Sequence, residues 1–68
     1  MKIMEACMFN EYDVVFASRE LSEIVLRGCK GVIVMVFDNQ KKVYEVEFLN
    51  DDDETLDILT VKEEDIHK

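Results

Sequence analysis

The side chains able to do chemistry crowd into one stretch, EVEFLNDDDETLDILTVKEED, residues 45 to 65. It holds ten acidic residues and a single basic one, Lys62. Carboxylates in such density could ligate a metal, or pair as general acid and base. A calcium loop needs oxygen ligands at alternate positions, a central glycine and a distal glutamate. Asp51, Asp52 and Asp53 are consecutive and no glycine follows them, so the pattern predicts no metal site. An acid–base pair needs a pocket that drives two carboxyl pKa values apart. A strand–turn–strand surface on a small domain offers little room for one. The expectation is a protein with no catalytic residue, no cofactor and no enzymatic activity.

The remaining reactive residues are few. Cys7 and Cys29 are too few for a disulfide framework, and they read as reduced, small apolar side chains. With His67 they fall short of the four ligands of a structural zinc site. A Cys–His nucleophile pair would need a base held in place, and His67 is the penultimate residue, where holding it still is difficult. There is no glycine-rich phosphate loop and no basic aromatic stripe for nucleic acid.

The acid is concentrated. Residues 1 to 44 carry six acids and six bases, whereas residues 45 to 68 carry ten acids and two bases, so the entire net charge of −8 lies in the last third. Such a field repels phosphate backbones, whose binding depends on Lys and Arg, and attracts and steers a basic surface. Residues Glu45, Glu47, Asp51, Asp52, Asp53, Glu54 and Asp57 would supply that attraction. The blander alternative is an acidic face that only keeps the protein soluble and guards a sheet edge. Against it stands crowding: Glu45, Glu47 and Asp57 are expected on one side of neighbouring strands, where like charges destabilise a sheet.

The elements that position these residues are mostly strands. The chain has 68 residues, 49% of them hydrophobic, and no proline. That suits one small domain, residues 1–68, with a thin core. Four strand signals follow an N-terminal segment, residues 1–11, in which Met1, Met4 and Met8 would cap one open end of the fold or form a short helix. The signals are YDVVFAS from Tyr12 to Ser18, GVIVMVFD from Gly31 to Asp38, VYEVEFL from Val43 to Leu49, and TLDILTV from Thr55 to Val61. The second suits a strand buried on both faces or one at a bend. The third alternates strictly, with Tyr44, Val46 and Phe48 inward. In the fourth, Leu56, Ile58 and Thr60 are expected inward and Asp57 outward. SRELSEIVLRGCKG makes a long first connection whose Leu21, Ile24, Val25 and Leu26 could form a helical turn ended by Gly28. Lys62 to Ile66 predicts a final helical or 3₁₀ turn that returns Ile66 to the core. The whole predicts a mainly β fold: a small SH3-like barrel over residues 12–66, of about four to five antiparallel strands. No apolar run is long enough for a membrane span and no secretory signal is evident, so a cytoplasmic protein is expected.

The order YDVV, a leucine-rich loop ending RGCKGVIVMV, then YEVEFLNDDDETLDILTVKEEDI resembles a bacterial family, domain of unknown function 4926. The resemblance spans about residues 12 to 66, and YEVEF, the acidic turn and the Gly28/Gly31 pair carry most of it. It implies an SH3-like fold in a short stand-alone protein. Some members resemble immunity or antitoxin-type partners of bacterial toxins. It transfers no catalytic residue, and the SRELSEIVLRGCKG loop and the Met/Cys-rich N-terminus depart from its pattern.

Charge and resemblance together point to a protein-binding module. It would neutralise a basic toxin, plausibly a nuclease, by presenting the acidic hairpin to the cleft that takes nucleic acid. The alternative is a small accessory domain of a larger assembly, docked by a strand edge or by the apolar loop around Leu21, Ile24 and Val25. Either could act as a monomer or an edge-strand homodimer. Direct RNA contact through a KOW-like barrel, faintly suggested by DVV and GVIV, conflicts with the charge.

Overall fold

The computed structural model describes residues 9–38 and 42–68. Among these, five strands form one antiparallel sheet: β1 (Val14–Ala17), β2 (Lys30–Asp38), β3 (Val43–Leu49), β4 (Thr55–Lys62) and β5 (Ile66–His67). A 3₁₀ turn, Glu63–Asp65, separates the last two. The order across the sheet is β4-β3-β2-β1-β5. The mainly β architecture, the long first loop and the closing turn all match the sequence. The predicted closure into a barrel does not: β4 and β5 stand at opposite ends of the order, so the sheet stays open. The expected roles of Met1, Met4, Met8 and Cys7 fall outside the described residues.

Strict alternation makes β3 the centre of the fold. Tyr44, Val46 and Phe48 are fully buried, while Glu45 and Glu47 point to the other face. Val15 and Ala17 of β1, Ile33 of β2, Val25 of the long loop and Phe9 complete the core with Val61 and Ile66. Phe9 meets Tyr44 edge-to-face, centroids 5.5 Å apart, a favoured aromatic geometry. Gly31 lies opposite both Val15 and Phe48. A Cβ there would fall 2.6 Å from Val46 Cγ1 and 2.9 Å from Phe48 Cδ1, so the bare backbone is what lets two core side chains close over β2.

Three expectations shift. β2 is not buried on both faces, because register shifts between Ile33 and Met35 and between Val36 and Asp38 turn Met35 and Phe37 outward. Such bulges bend a strand and re-aim its side chains, which is the bend the apolar run allowed. β4 has the opposite phase from that predicted. Val61 pairs with Tyr44, Leu59 with Val46 and Asp57 with Phe48, so Asp57, Leu59 and Val61 take the core-side register and Ile58 and Thr60 face outward. The sequence has apolar residues at both parities here, and Val61, next to the turn that returns Ile66, fixes the choice. Finally, residues 21–26 form no helical turn. The Leu21 N–H donates to the Val25 carbonyl (2.9 Å), and the Ser22 hydroxyl accepts from the Val25 N–H (3.0 Å). The loop thereby folds back on itself and buries Val25.

A buried carboxylate fastens this loop to the chain end. Asp65 Oδ1 accepts from Arg19 Nη2 (2.6 Å) and Nε (3.0 Å), and its Oδ2 accepts from the Lys62 N–H (3.0 Å). The Ser18 N–H adds a bond to the Asp65 carbonyl at 2.8 Å. His67 is consequently held, contrary to the expectation from its terminal position. It pairs with Phe16 across β1 and β5, and its Nδ1 shares a 2.8 Å hydrogen bond with Ser18 Oγ.

Candidate functional site

The β3–β4 turn carries four consecutive acids, Asp51 to Glu54, all exposed. Asn50 gives it a fixed shape. Its side-chain oxygen accepts from the N–H groups of Asp52 and Glu54, each at 2.9 Å, and its amide donates to Glu54 Oε1 at 3.1 Å. Backbone bonds from Asn50 N to the Glu54 carbonyl (2.9 Å) and from Asp53 N to the Asn50 carbonyl (3.0 Å) close the loop. Asp53 takes the left-handed conformation, φ 62°, which Asp tolerates better than most residues. Its carboxylate also receives Lys30 Nζ at 2.6 Å. The turn is thus an ordered projection of negative charge, and Asn50 is its organiser.

The other predicted acids divide between two faces. Glu45 and Glu47 lie on the outer face, opposite Thr60 and Ile58. Thr60 Oγ1 donates to Glu45 Oε1 at 2.9 Å, and Thr55 Oγ1 donates to Glu47 Oε2. Asp57 does not join them. It sits across from Phe48 and accepts from the Ile58 N–H at 2.9 Å. The predicted row of three like charges on one side is therefore absent, and hydroxyl donors face the two glutamates instead. Around them the outer face is apolar: Val14, Met35, Phe37 and Ile58 are each about half exposed.

Beside the acidic turn the fold forms a cleft of about 560 Å³ that the sequence did not announce. Its walls come from distant parts of the chain: Phe16 of β1, Ile24 and Leu26 of the long loop, Leu49 of β3 and Leu56 of β4, with Asn50 and Asp51 at the acidic end. Ile24 and Leu26 are 52% and 54% exposed, on either side of the buried Val25. Of the three loop residues expected at a docking surface, Leu21, Ile24 and Val25, Val25 is core and Leu21 packs against it, so Ile24 alone of the three is exposed.

Cys29 lines this cleft, but its chemistry is damped. Burial pushes the thiol above its ordinary pKa, a backbone hydrogen bond at Leu49 partly offsets this, and the Asp51 charge adds to the rise. The Sγ donates to the Leu49 carbonyl at 3.4 Å, while His67 is engaged with Ser18, so no Cys29–His67 pair forms. Among the described residues no group of three His, Cys, Asp or Glu side chains is arranged to hold a metal ion, and no helix is long and apolar enough to cross a membrane.

A family model described as Domain of unknown function (DUF4926) matches residues 11–68. No curated protein and no solved structure matches the chain significantly.

Proposed function

The chain belongs to the DUF4926 family, and from that premise we propose that it is a non-enzymatic binding module for a basic protein. In this reading it is a cytoplasmic immunity or antitoxin-type protein that neutralises a basic toxin, such as a nuclease, with its acidic C-terminal hairpin. The supporting observation is the ordered Asp51–Glu54 turn, in which Asn50 holds four exposed acids in a chain whose whole net charge of −8 falls in the same third. A pre-shaped charged surface loses little conformational freedom on binding and accelerates encounter with a surface of opposite sign. Glu45 and Glu47 extend the negative potential along the outer face, and Asp57 contributes from the far side of β4.

The test uses the tagged protein as bait in its native cells. A basic protein should be captured at low salt and released at about 1 M, where the screening length is roughly 3 Å. Asp51→Lys with Asp52→Lys should abolish that capture, and co-expression of the unmodified chain should relieve the captured protein's toxicity. These two positions are preferred to Asp53, whose left-handed backbone shapes the turn and whose carboxylate is already engaged by Lys30. Undiminished capture by the reversed variant would refute the acidic hairpin as the binding surface.

A second reading is favoured by the exposed Ile24 and Leu26. It makes the chain an accessory domain docked through the loop, with the acid serving solubility. Capture that resists salt and ignores the charge reversal would select it.

A further inference from the structure

The two surfaces that the sequence offers as competing binding sites, the acidic hairpin and the apolar loop, meet at one end of the sheet. The cleft between them is walled by Ile24, Leu26, Leu49 and Leu56, and Asp51 lines it directly. We infer that this cleft is an anchor pocket for a large apolar side chain of the basic partner, with the partner's flanking Lys or Arg side chains meeting the Asp51–Glu54 turn. The inference rests on the binding reading above and specifies its partner: a segment with one bulky apolar residue bracketed by cations.

Three features carry it. The first is location. Ile24 and Leu26 of the long loop line the cleft together with Phe16 of β1 and Leu49 of β3, and the register shift between Phe48 and Leu49 falls where Leu56 joins them. Residues from four separate elements therefore form one apolar wall. The second is rigidity. Val25, between the two exposed loop residues, is fully buried. The loop base is closed by Ala17 N to the Cys29 carbonyl (2.9 Å) and Gly28 N to the Ala17 carbonyl (2.8 Å). A pocket fixed before binding needs no ordering of its walls. The third is charge. Lys30 at the cleft is engaged by Asp53, Arg27 stands on the loop side, and the turn presents four acids. The balance favours a cationic occupant. It also disfavours a second copy of this chain, since each copy carries −8 and like charges in contact oppose association.

Strong contacts at interfaces concentrate on bulky side chains seated in desolvated pockets, surrounded by weaker contacts that exclude water. A cleft of about 560 Å³ is ample for one aromatic side chain. The acidic turn would then guide approach, and the cleft would hold what has arrived.

The experiment titrates the full ¹⁵N-labelled chain with two synthetic peptides, heptalysine and the same peptide with its central lysine replaced by phenylalanine. Affinity is read by calorimetry and contacts by amide shifts. The phenylalanine peptide, despite its lower charge, should bind at least about fivefold more tightly, a factor that corresponds to about 1 kcal/mol. It should shift the amides of Ile24, Leu26, Leu49 and Leu56 in addition to those of Asp51 to Glu54. Leu26→Ser, at an exposed position, should erase the difference between the peptides while leaving heptalysine binding unchanged. If both peptides bind equally and shift only the turn, the anchor pocket is overturned and the acidic hairpin stands. If neither binds at low salt, the hairpin reading falls and the pocket with it.

Discussion

Gly31→Ala puts the close approach of β2 and β3 to the test. The new methyl would stand 2.6 Å from Val46 Cγ1 and 2.9 Å from Phe48 Cδ1, whereas carbon atoms in contact prefer about 3.5–4.0 Å. Relief requires a shift of about 1 Å by side chains with no room to yield. Val46 and Phe48 are fully buried, and valine's branched Cβ confines its χ1. Overpacking of this kind costs about 1–3 kcal/mol. A domain of this length has a total stability of roughly 3–10 kcal/mol, so a loss in melting temperature of about 5–20 °C is expected. Gly28→Ala provides the contrast. Its φ is +88° but nothing lies within 4 Å of the new Cβ, so only the left-handed strain applies, about 1 kcal/mol. Thermal and urea melts of Gly31→Ala, Val46→Ala and the double variant complete the measurement. Val46→Ala removes the nearer of the two clashing atoms, so the double variant should be at least about 1 kcal/mol more stable than the summed single effects. A Gly31→Ala protein melting within about 1 °C of the unmodified chain, or strict additivity in the cycle, would refute the close-approach account.

Asp65→Asn should cost about 2 kcal/mol, because a buried carboxylate accepting from Arg19 and the Lys62 N–H leaves charged and backbone donors poorly matched; an unchanged urea midpoint would argue that the loop does not depend on it. The Asp13 carboxyl lies below its ordinary pKa, first through the Asn10 N–H and then through Lys68. Its carboxylate therefore stabilises the fold above the unfolded pKa, and that contribution fades as pH falls through the lower folded value. Asp13→Asn should flatten the acid limb of the stability curve below about pH 4, and urea melts between about pH 2 and 6 would show an unaltered limb if Asp13 plays no part. In a Cys7→Ser background, Cys29 should alkylate more slowly at neutral pH than a free thiol, since burial holds it in the unreactive protonated form; a rate equal to that of free cysteine would contradict the burial. For a captured basic partner, salt should lower the association rate with little effect on dissociation, while Leu26→Ser should speed dissociation with little effect on association; surface-binding kinetics showing the opposite pattern would refute the division of labour between charge and cleft.

Residue pattern revealed the fold wherever one periodicity stood alone. VYEVEFL has apolar residues at a single parity, so its inner and outer faces could be assigned without coordinates, and Tyr44, Val46 and Phe48 are indeed buried. TLDILTV has them at both parities, Leu56 and Ile58 against Leu59 and Val61. A one-residue slip exchanges the two faces, and only the pairing of Val61 with Tyr44 decides between them. The unbroken run in β2 hid its bulges for the same reason, because every residue in it could face inward. Barrel closure depended on contacts between the chain's far ends, which local pattern does not encode. His67 was discounted by position, yet β5 needs only two residues to pair with β1. The acidic turn was visible as composition, though not the side chain of Asn50 that orders it. The cleft was invisible because Phe16, Ile24, Leu26, Leu49 and Leu56 share no sequence neighbourhood.

The register of β4 also moves the electrostatic argument for a partner. Crowding of Glu45, Glu47 and Asp57 on one face would have made the sheet itself strained without a cation. With Asp57 across from Phe48, and Thr55 and Thr60 donating to the two glutamates, the strands tolerate their charge unaided. The unrelieved density is at the turn, where Lys30 meets one of the four acids. That turn lies outside the core, and its shape comes from Asn50 and the backbone rather than from cations. Charge reversal at Asp51 and Asp52 consequently changes the field without touching what folds the domain. Binding and stability become separable by mutation, and the acidic hairpin can be judged as a binding surface on binding data alone.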